Sequence, residues 1–409
     1  MAIPVLRNTV GARNPFAFAE AKLGKKIDWR NASAGEKKRI IESAFGAPYH
    51  KVFNDSKKDT RYLHPVLSGS GDAVQCNAAT VKSLIKSWGK NPYGTTYSDT
   101  PYGYYEDPVQ GALSDCFFVA ALVSIANASR TKTKFPNLGG SSFGITFYGD
   151  YKVDAATGVN TYGSSKQVTV TNDHFPQQGN GNLVFGRSNT TAEIWPAIYE
   201  KGYAEWKSGG TMTEPDYSLL CLGNPITALA NVTGYKYNTG GTAAPTAYET
   251  TKFAGNPNQI LDTLVNQKAV LASPNGTDYF TQWPTVAYTY DSDTLGYSNA
   301  AIVRNHSYSV LGAQKTATGK YIILRNPWGQ VPPPVYVDPK TLDANRCILD
   351  ASGNPIICYG DQNLSGLGSD VVSQNTWMGR SLTDVNDGIF GLNVVAFQKY
   401  FQGFGWVYA

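Results

Sequence analysis

Two stretches of this chain carry residue types that could act together on an acyl group. The first, Gln110-Gly-Ala-Leu-Ser-Asp-Cys116-Phe-Phe-Val-Ala-Ala-Leu, joins a candidate oxyanion donor, Gln110, to a candidate nucleophile, Cys116. The second, Asn305-His306-Ser-Tyr308-Ser-Val310, is followed by Tyr321-Ile-Ile-Leu-Arg325-Asn326-Pro327-Trp328-Gly329. The reactive form of cysteine is the thiolate, and a helix start favours it through the unpaired backbone N–H groups there. A lone cysteine is more often a small packed residue than a nucleophile. His306 and Asn326 change that balance. Imidazole can serve as base toward the thiol, while a carboxamide oxygen holds the other ring nitrogen and so fixes the tautomer.

These side chains need elements that bring them together. Phe117, Val119, Ala120, Ala121, Leu122, Ile125 and Ala126 follow Cys116. That run is apolar nearly all round, which predicts a helix buried at the centre of a domain, with Asp115 in the N-cap position. Tyr308 to Leu311 and Tyr321 to Leu324 read as two strands joined by a turn around Thr318-Gly319. A hairpin of that kind brings its outer ends, His306 and Asn326, side by side. Nearer the N-terminus, Ser33-x-x-Glu36 is a capping box ahead of Ile40, Ile41, Ala44 and Phe45, with Gly46 as the stop. Asn77 precedes a second helix carrying Val81, Leu84, Ile85 and Trp88 and ended by Gly89.

With these motifs in place, the chain resembles the calpains. Their nucleophile block reads Gln-Gly-x-Leu-Gly-Asp-Cys-Trp, and their second block reads Gly-His-Ala-Tyr-Ser-Val followed by Arg-Asn-Pro-Trp-Gly. Val168 to Pro176 is similar to the family's strand with an acidic-basic-Leu-Pro turn, and Glu193 to Ala204 to its Glu-x-Trp…Glu-Lys-Ala-Tyr-Ala helix. Asp387 to Phe401 resembles the closing segment of the protease core. The resemblance runs from about Tyr97 to the C-terminus. It implies an α+β, two-lobed papain-like core, and it implies that Cys116 is the nucleophile, His306 the base, Asn326 its orienting partner and Gln110 the oxyanion donor. Trp328 matches a tryptophan that covers the His–Asn pair. Gly209-Gly210 falls where the family has a glycine pair whose backbone meets substrate. Asp107 and Glu193 match the two carboxylates of a calcium site in the first lobe, with carbonyls near Tyr102 and Gly103 as further ligands. No acidic cluster stands for a second-lobe site, where this chain reads Gln330-Val-Pro-Pro-Pro.

Three positions depart from the family pattern. Ser114 and Phe117 replace a glycine and a tryptophan, and Asn305 replaces the glycine directly before the histidine. Extra bulk at Asn305 would narrow the cleft beside the substrate backbone and bear on which substrates fit.

The chain of 409 residues is long enough for two or three domains. We divide it into an N-terminal helical extension over 1–95, acting as a cap or as an inhibitory prosegment, a first lobe over 96–232 with Cys116, and a strand-rich second lobe over 233–409 with His306 and Asn326. Net charge is only +4, and Lys and Arg do not cluster with aromatics, so nucleic acid is not an expected partner. No phosphate loop, Cys-x-x-Cys pair or long apolar span occurs, so we expect no nucleotide, zinc, organic cofactor or transmembrane segment. The five cysteines are an odd number, and Cys347 and Cys358 flank a turn they could bridge. The N-terminus lacks a signal-peptide pattern, which points to the cytoplasm, while low charge and abundant Asn, Thr and Gly also fit a secreted protein. The expected activity is that of a cysteine endopeptidase acting on protein or peptide substrates. A Cys-dependent acyl transferase and a silent protease-fold binding module are the rival readings. No long heptad or exposed apolar stripe argues for an oligomeric state.

Overall fold

The computed structural model describes residues 14–28, 32, 34–45, 78–93, 98, 103–135, 140–149, 151–153, 160–162, 164–189, 193–237, 248–290, 302–303, 305–317, 319–329, 347–349, 355–358, 376–382 and 387–409. Helix and strand are mixed throughout. The helices used below are α1 (Pro15–Leu23), α2 (Ala34–Phe45), α3 (Ala78–Leu84), α4 (Cys116–Asn127), α5 (Trp195–Lys207), α6 (Pro225–Thr233), α7 (Gln259–Asn266) and α8 (Val394–Tyr400). Four short strands precede the helix α5 in two pairs: β1 (Ser87–Gly89) with the later Phe175–Gln177, and β2 (Pro108–Val109) with Arg187–Ser188. A separate ribbon pairs Ser142–Phe147 with Lys166–Thr171.

The main sheet has eight strands, all paired antiparallel. Its central path runs Tyr248–Glu249, Phe401–Tyr408, Asp278–Thr289, Ser307–Thr316, Gly319–Arg325 and Ile389–Asn393. The expected hairpin is present: Ser307–Thr316 and Gly319–Arg325 pair from Thr316↔Gly319 to Ser309↔Arg325. That register puts the residues just beyond it, His306 and Asn326, at the same end of the sheet.

Helix α4 is the hub of the structure. Eleven of its side chains, Cys116 through Ala126, are buried, as an all-round apolar helix demands. One side packs on α5, α6 and the 142–171 ribbon through Phe118, Leu122 and Ile125. The other side meets the main sheet and is tied to it by polar groups. Ser124 Oγ donates to the Thr285 carbonyl at 2.8 Å, Ser309 Oγ to the Ala120 carbonyl at 2.7 Å, and Asn127 Nδ2 to Thr281 Oγ1 and the Leu311 carbonyl at 2.7 and 2.9 Å. A second apolar core, built from Ile260, Tyr308, Leu324, Phe397 and Trp406 among others, fills the far side of the sheet under α7 and α8.

A helix, α2, spans Ala34–Phe45 where the sequence places one, while Ser33 and Gly46 lie outside the described residues. The helix expected after Asn77 is shorter than the sequence implies. It stops at Leu84, and Ser87-Trp88-Gly89 turns into strand β1, with Trp88 opposite Pro176. Trp88 stacks at 6.3 Å on Tyr217, a contact that an extended backbone reaches and a continued helix would not. Cys116 and Cys221 are free thiols. Cys347 and Cys358 are register partners across a two-stranded pair, while Cys76 and the Val331–Pro334 segment lie outside the described residues. Among the described residues no helix is long and apolar enough to cross a membrane.

Asn127 is the most connected of the polar ties. Replacing it with Ala should cost about 1 kcal/mol by removing its bonds to Thr281 and to the Leu311 carbonyl, which would keep only the longer bond from Thr281 Oγ1, read as a lower midpoint in denaturant. An unchanged midpoint would mean that apolar contact alone seats α4 on the sheet.

Candidate active site

Cys116 opens α4 and is fully buried. The segment leading to it is fixed from several sides. Gly111 must lack a side chain, because a Cβ there would lie 2.2 Å from the Phe185 backbone. Gln110 donates its backbone N–H to the Pro327 carbonyl at 2.8 Å and one side-chain N–H to the Leu113 carbonyl at 2.7 Å. The first of these bonds joins the two candidate motifs directly: the Gln110 loop leans on the turn that follows Asn326.

His306 and Asn326 meet as the hairpin register requires, with His306 Nε2 2.9 Å from Asn326 Oδ1. A carboxamide oxygen only accepts, so this contact places the imidazole proton on Nε2 and leaves a lone pair on Nδ1. Nδ1 is buried and has no hydrogen-bond partner among the described residues. Asn326 Oδ1 also accepts the Trp328 backbone N–H at 3.0 Å, which locks the amide's orientation. The Trp328 ring lies 5.0 Å from the imidazole and the Tyr308 ring crosses it edge-on at 4.9 Å. Burial pulls the imidazole down to about 3, against an upward pull from the Asn326 hydrogen bond. It is neutral at physiological pH.

Comparison with known proteins identifies the family. The family model described as calpain family cysteine protease matches residues 103–332, a span that contains all four of these residues. The chain belongs to the calpain family. It is 29% identical over 236 residues to the calpain-2 catalytic subunit of Gallus gallus, a match covering 55% of this chain and 28% of that one. It is 26% identical over 243 residues to a thiol protease of Porphyromonas gingivalis, covering 58% of this chain and 46% of the relative. The chain therefore spans less than half the length of these relatives.

The three departures from the calpain pattern have physical accounts. Asn305 sits at φ 46°, the left-handed region, and donates its N–H to the Tyr290 carbonyl at 2.8 Å. That conformation explains the family's glycine, and asparagine is among the few side chains that tolerate it. Ser114 is buried and is not among the described residues with positive φ, so serine is accommodated without strain. The Phe117 ring fills the space over Gly223, where a Cβ would approach to 2.3 Å.

Gly209 and Gly210 lie at the C-terminal end of α5, with positive φ of 105° and 149°, and Lys166 Nζ donates to the Gly209 carbonyl. Nothing here draws them toward His306. Asp107 and Glu193, by contrast, are brought into contact and buried. Asp107 Oδ2 accepts from the Tyr104 backbone and from Trp195 Nε1, each at 2.8 Å. Ser98 and Ser188 hydroxyls donate to the two Glu193 oxygens at 3.2 and 3.3 Å. Burial raises the Asp107 carboxyl, with opposing contributions from Trp195 and Glu193. Two adjoining buried carboxyls need a proton or a cation between them, and two carboxylates with two hydroxyls form the all-oxygen set that a hard cation takes. The donor chemistry thus fits calcium. Among the described residues no third acidic, His or Cys side chain joins them, so backbone carbonyls or water would complete a shell. Tyr102 and Gln330–Pro334 lie outside the described residues.

Several further residues shape the site. Asp115 occupies the N-cap position but makes no side-chain cap bond, because its carboxyl turns toward Glu200. Arg325 is fully buried and donates to the carbonyls of Pro108, Glu106 and Asp387 at 2.8, 2.6 and 3.1 Å. Arg380 forms ion pairs with Glu106 and Asp387. Helix α1 lies across the motif turn: Asn14 Nδ2 donates to the Gln110 carbonyl at 2.8 Å, and Phe16 meets Trp328 edge-on at 6.5 Å. The Arg in Arg-Asn-Pro-Trp-Gly and the Asn14-Pro15 cap pair were the available signals.

A pH test follows from the imidazole. The unfolded chain takes up a proton near pH 6.5, whereas folded His306 resists it until about 3. The fold should therefore lose stability as pH falls from 6.5 toward 3. His306→Gln should flatten that part of the melting-temperature profile, and an identical slope in both proteins would contradict a buried neutral imidazole.

Proposed function

We propose that this chain is a cysteine endopeptidase whose site lies between two papain-like lobes, 96–232 with Cys116 and 233–409 with His306 and Asn326. The observation that carries the reading is the His306–Asn326 contact, which leaves an unpartnered Nδ1 in a chain of the calpain family. Nδ1 takes the Cys116 thiol proton, and the thiolate attacks the peptide carbonyl carbon. The Gln110 side chain and the Cys116 N–H hold the resulting oxyanion, an interaction worth about 3–4 kcal/mol per donor. The imidazolium returns its proton to the leaving amine as the C–N bond breaks, leaving a thioester. Water then gives a proton to Nδ1, attacks the thioester, and the thiol regains its proton as the acid departs. Trp328 shields the Nε2–Oδ1 bond from water. Extended protein segments are the proposed substrates, passing Asn305 and Gly209-Gly210. Calcium held by Asp107 and Glu193 would offset their paired charge and steady the loop that carries Gln110.

Residues 1–95 take part as a cap. Cys116 and His306 are both 0% exposed, and α1 sits on Trp328 and Gln110, so this conformation is a closed one. The same observation favours the binding-module reading if the closure never opens.

Labelling separates these readings. An epoxide-type thiol inhibitor, applied with calcium and with chelator and located by mass spectrometry, should modify Cys116 well ahead of Cys221. Equal rates in both conditions would sink the protease reading. New N-termini in digested protein, rather than cross-linked amines, would separate hydrolysis from acyl transfer. Phe16→Ala, or removal of residues through Gly24, should raise the Cys116 rate. An unchanged rate would mean that α1 does not gate the site.

A further inference from the structure

Two carboxyl side chains are buried in contact beneath the first turn of α4. Asp115 comes from the residue before the nucleophile and Glu200 from the middle of α5; they are 0% and 2% exposed. Glu200 is pinned by the Gly186 backbone N–H, which reaches both carboxyl oxygens at 2.8 and 2.9 Å. Gly186 itself must stay bare, since a Cβ would lie 2.8 Å from Glu200 Oε1. Neither Asp115 oxygen receives an N–H or O–H from any other described residue. Among the described residues no cation pairs with either carboxyl. Lys201, the next residue on α5, is turned to the Asp173 carbonyl at 2.7 Å and to Glu205 at 3.9 Å. The buried phenol of Tyr217 also faces the pair. Two carboxylates cannot hydrogen-bond one another, so the contact needs a proton on one of them.

We propose that Asp115 and Glu200 share a single proton, and that this proton makes them positioning residues for Cys116. An aspartate before a helix ordinarily swings over to accept the first-turn N–H groups. Here that would set a carboxylate beside the thiol and oppose its ionisation. The Glu200 O–H holds the Asp115 carboxyl down instead, which accounts for the missing cap bond at α4. Burial raises both groups, Asp115 to about 6 and Glu200 well above its ordinary value, the latter also because of the Asp115 charge. At neutral pH the proton therefore sits on Glu200, and Asp115 is the acceptor.

The test has a spectroscopic arm that is independent of the endopeptidase reading and a kinetic arm that rests on it. In the infrared spectrum of the full chain at neutral pH, the wild-type minus Glu200→Gln difference should show the C=O stretch of one protonated carboxylic acid. Absence of that band would overturn the proposal. In the kinetic arm, iodoacetamide alkylation of Cys116 is followed against pH. Glu200→Ala frees the Asp115 carboxylate and should raise the thiol pKa by roughly one unit, slowing alkylation about tenfold near neutral pH. Glu200→Gln keeps a donor and should slow it less, and adding Asp115→Asn to Glu200→Ala should recover most of the loss. A double variant as slow as Glu200→Ala would refute a charge effect. If wild-type Cys116 is unreactive while the infrared band is present, the protease reading fails and the shared proton stands.

Discussion

The structure depends on how one apolar helix is buried on every side. An α4 built from Cys-Phe-Phe-Val-Ala-Ala-Leu-Val has no face to offer water, so it must be enclosed between two partners. Helices α5 and α6 with the 142–171 ribbon supply one wall, and the main sheet supplies the other. Burying a helix does not by itself set its rotation or its height on a sheet. The hydroxyls of Ser124 and Ser309 and the amide of Asn127 do, because each is spent on a carbonyl or hydroxyl across the interface. Ser309 lies three residues beyond His306 and bonds a carbonyl four residues beyond Cys116. A shift of the helix along the sheet would break that bond and separate the two candidate residues together.

Around this hub the loops are held by buried charge. Arg325 precedes Asn326 and sends its guanidinium to the carbonyls of Glu106 and Pro108, so the strand that ends in Asn326 grips the segment that leads to Gln110. Complete burial lowers the guanidinium to about 10, opposed by the charges of Asp387 and Glu106. Glu106 is in turn paired with Arg380, which also holds Asp387, making a closed circuit of two cations and two anions. Removing Arg380 would leave both Glu106 and Asp387 without their ion-pair partner, which costs more than the intact pairs contribute. Gln110 to Pro327 is the short bond this circuit protects.

Carboxyl groups are the other buried charge, and they are arranged in neighbouring pairs. Asp107 adjoins Glu193 and Asp115 adjoins Glu200, and burial raises the carboxyls of Asp107 and Asp115. The first pair is lined by hydroxyls and opens onto a loop; the second is lined by aromatic and backbone groups.

What the residues alone determined was what depends on local pattern. The apolar run marked α4, the capping box marked α2, and the alternation around Thr318-Gly319 set a hairpin whose register delivered His306 to Asn326. Those signals are short-range, so no knowledge of neighbours is needed to read them. Tertiary structure decided what depends on partners distant in the chain. Trp88 left its helix because Phe175–Gln177 offered strand bonds and Tyr217 a ring. Asp115 gave up its cap because Glu200 lay beneath it. Asn14 and Phe16 came to rest on Gln110 and Trp328 because those groups present a carbonyl and a ring edge there. A side chain's chemistry is written in its residue type, but which donor, charge or ring it meets is set only when the chain folds back on itself.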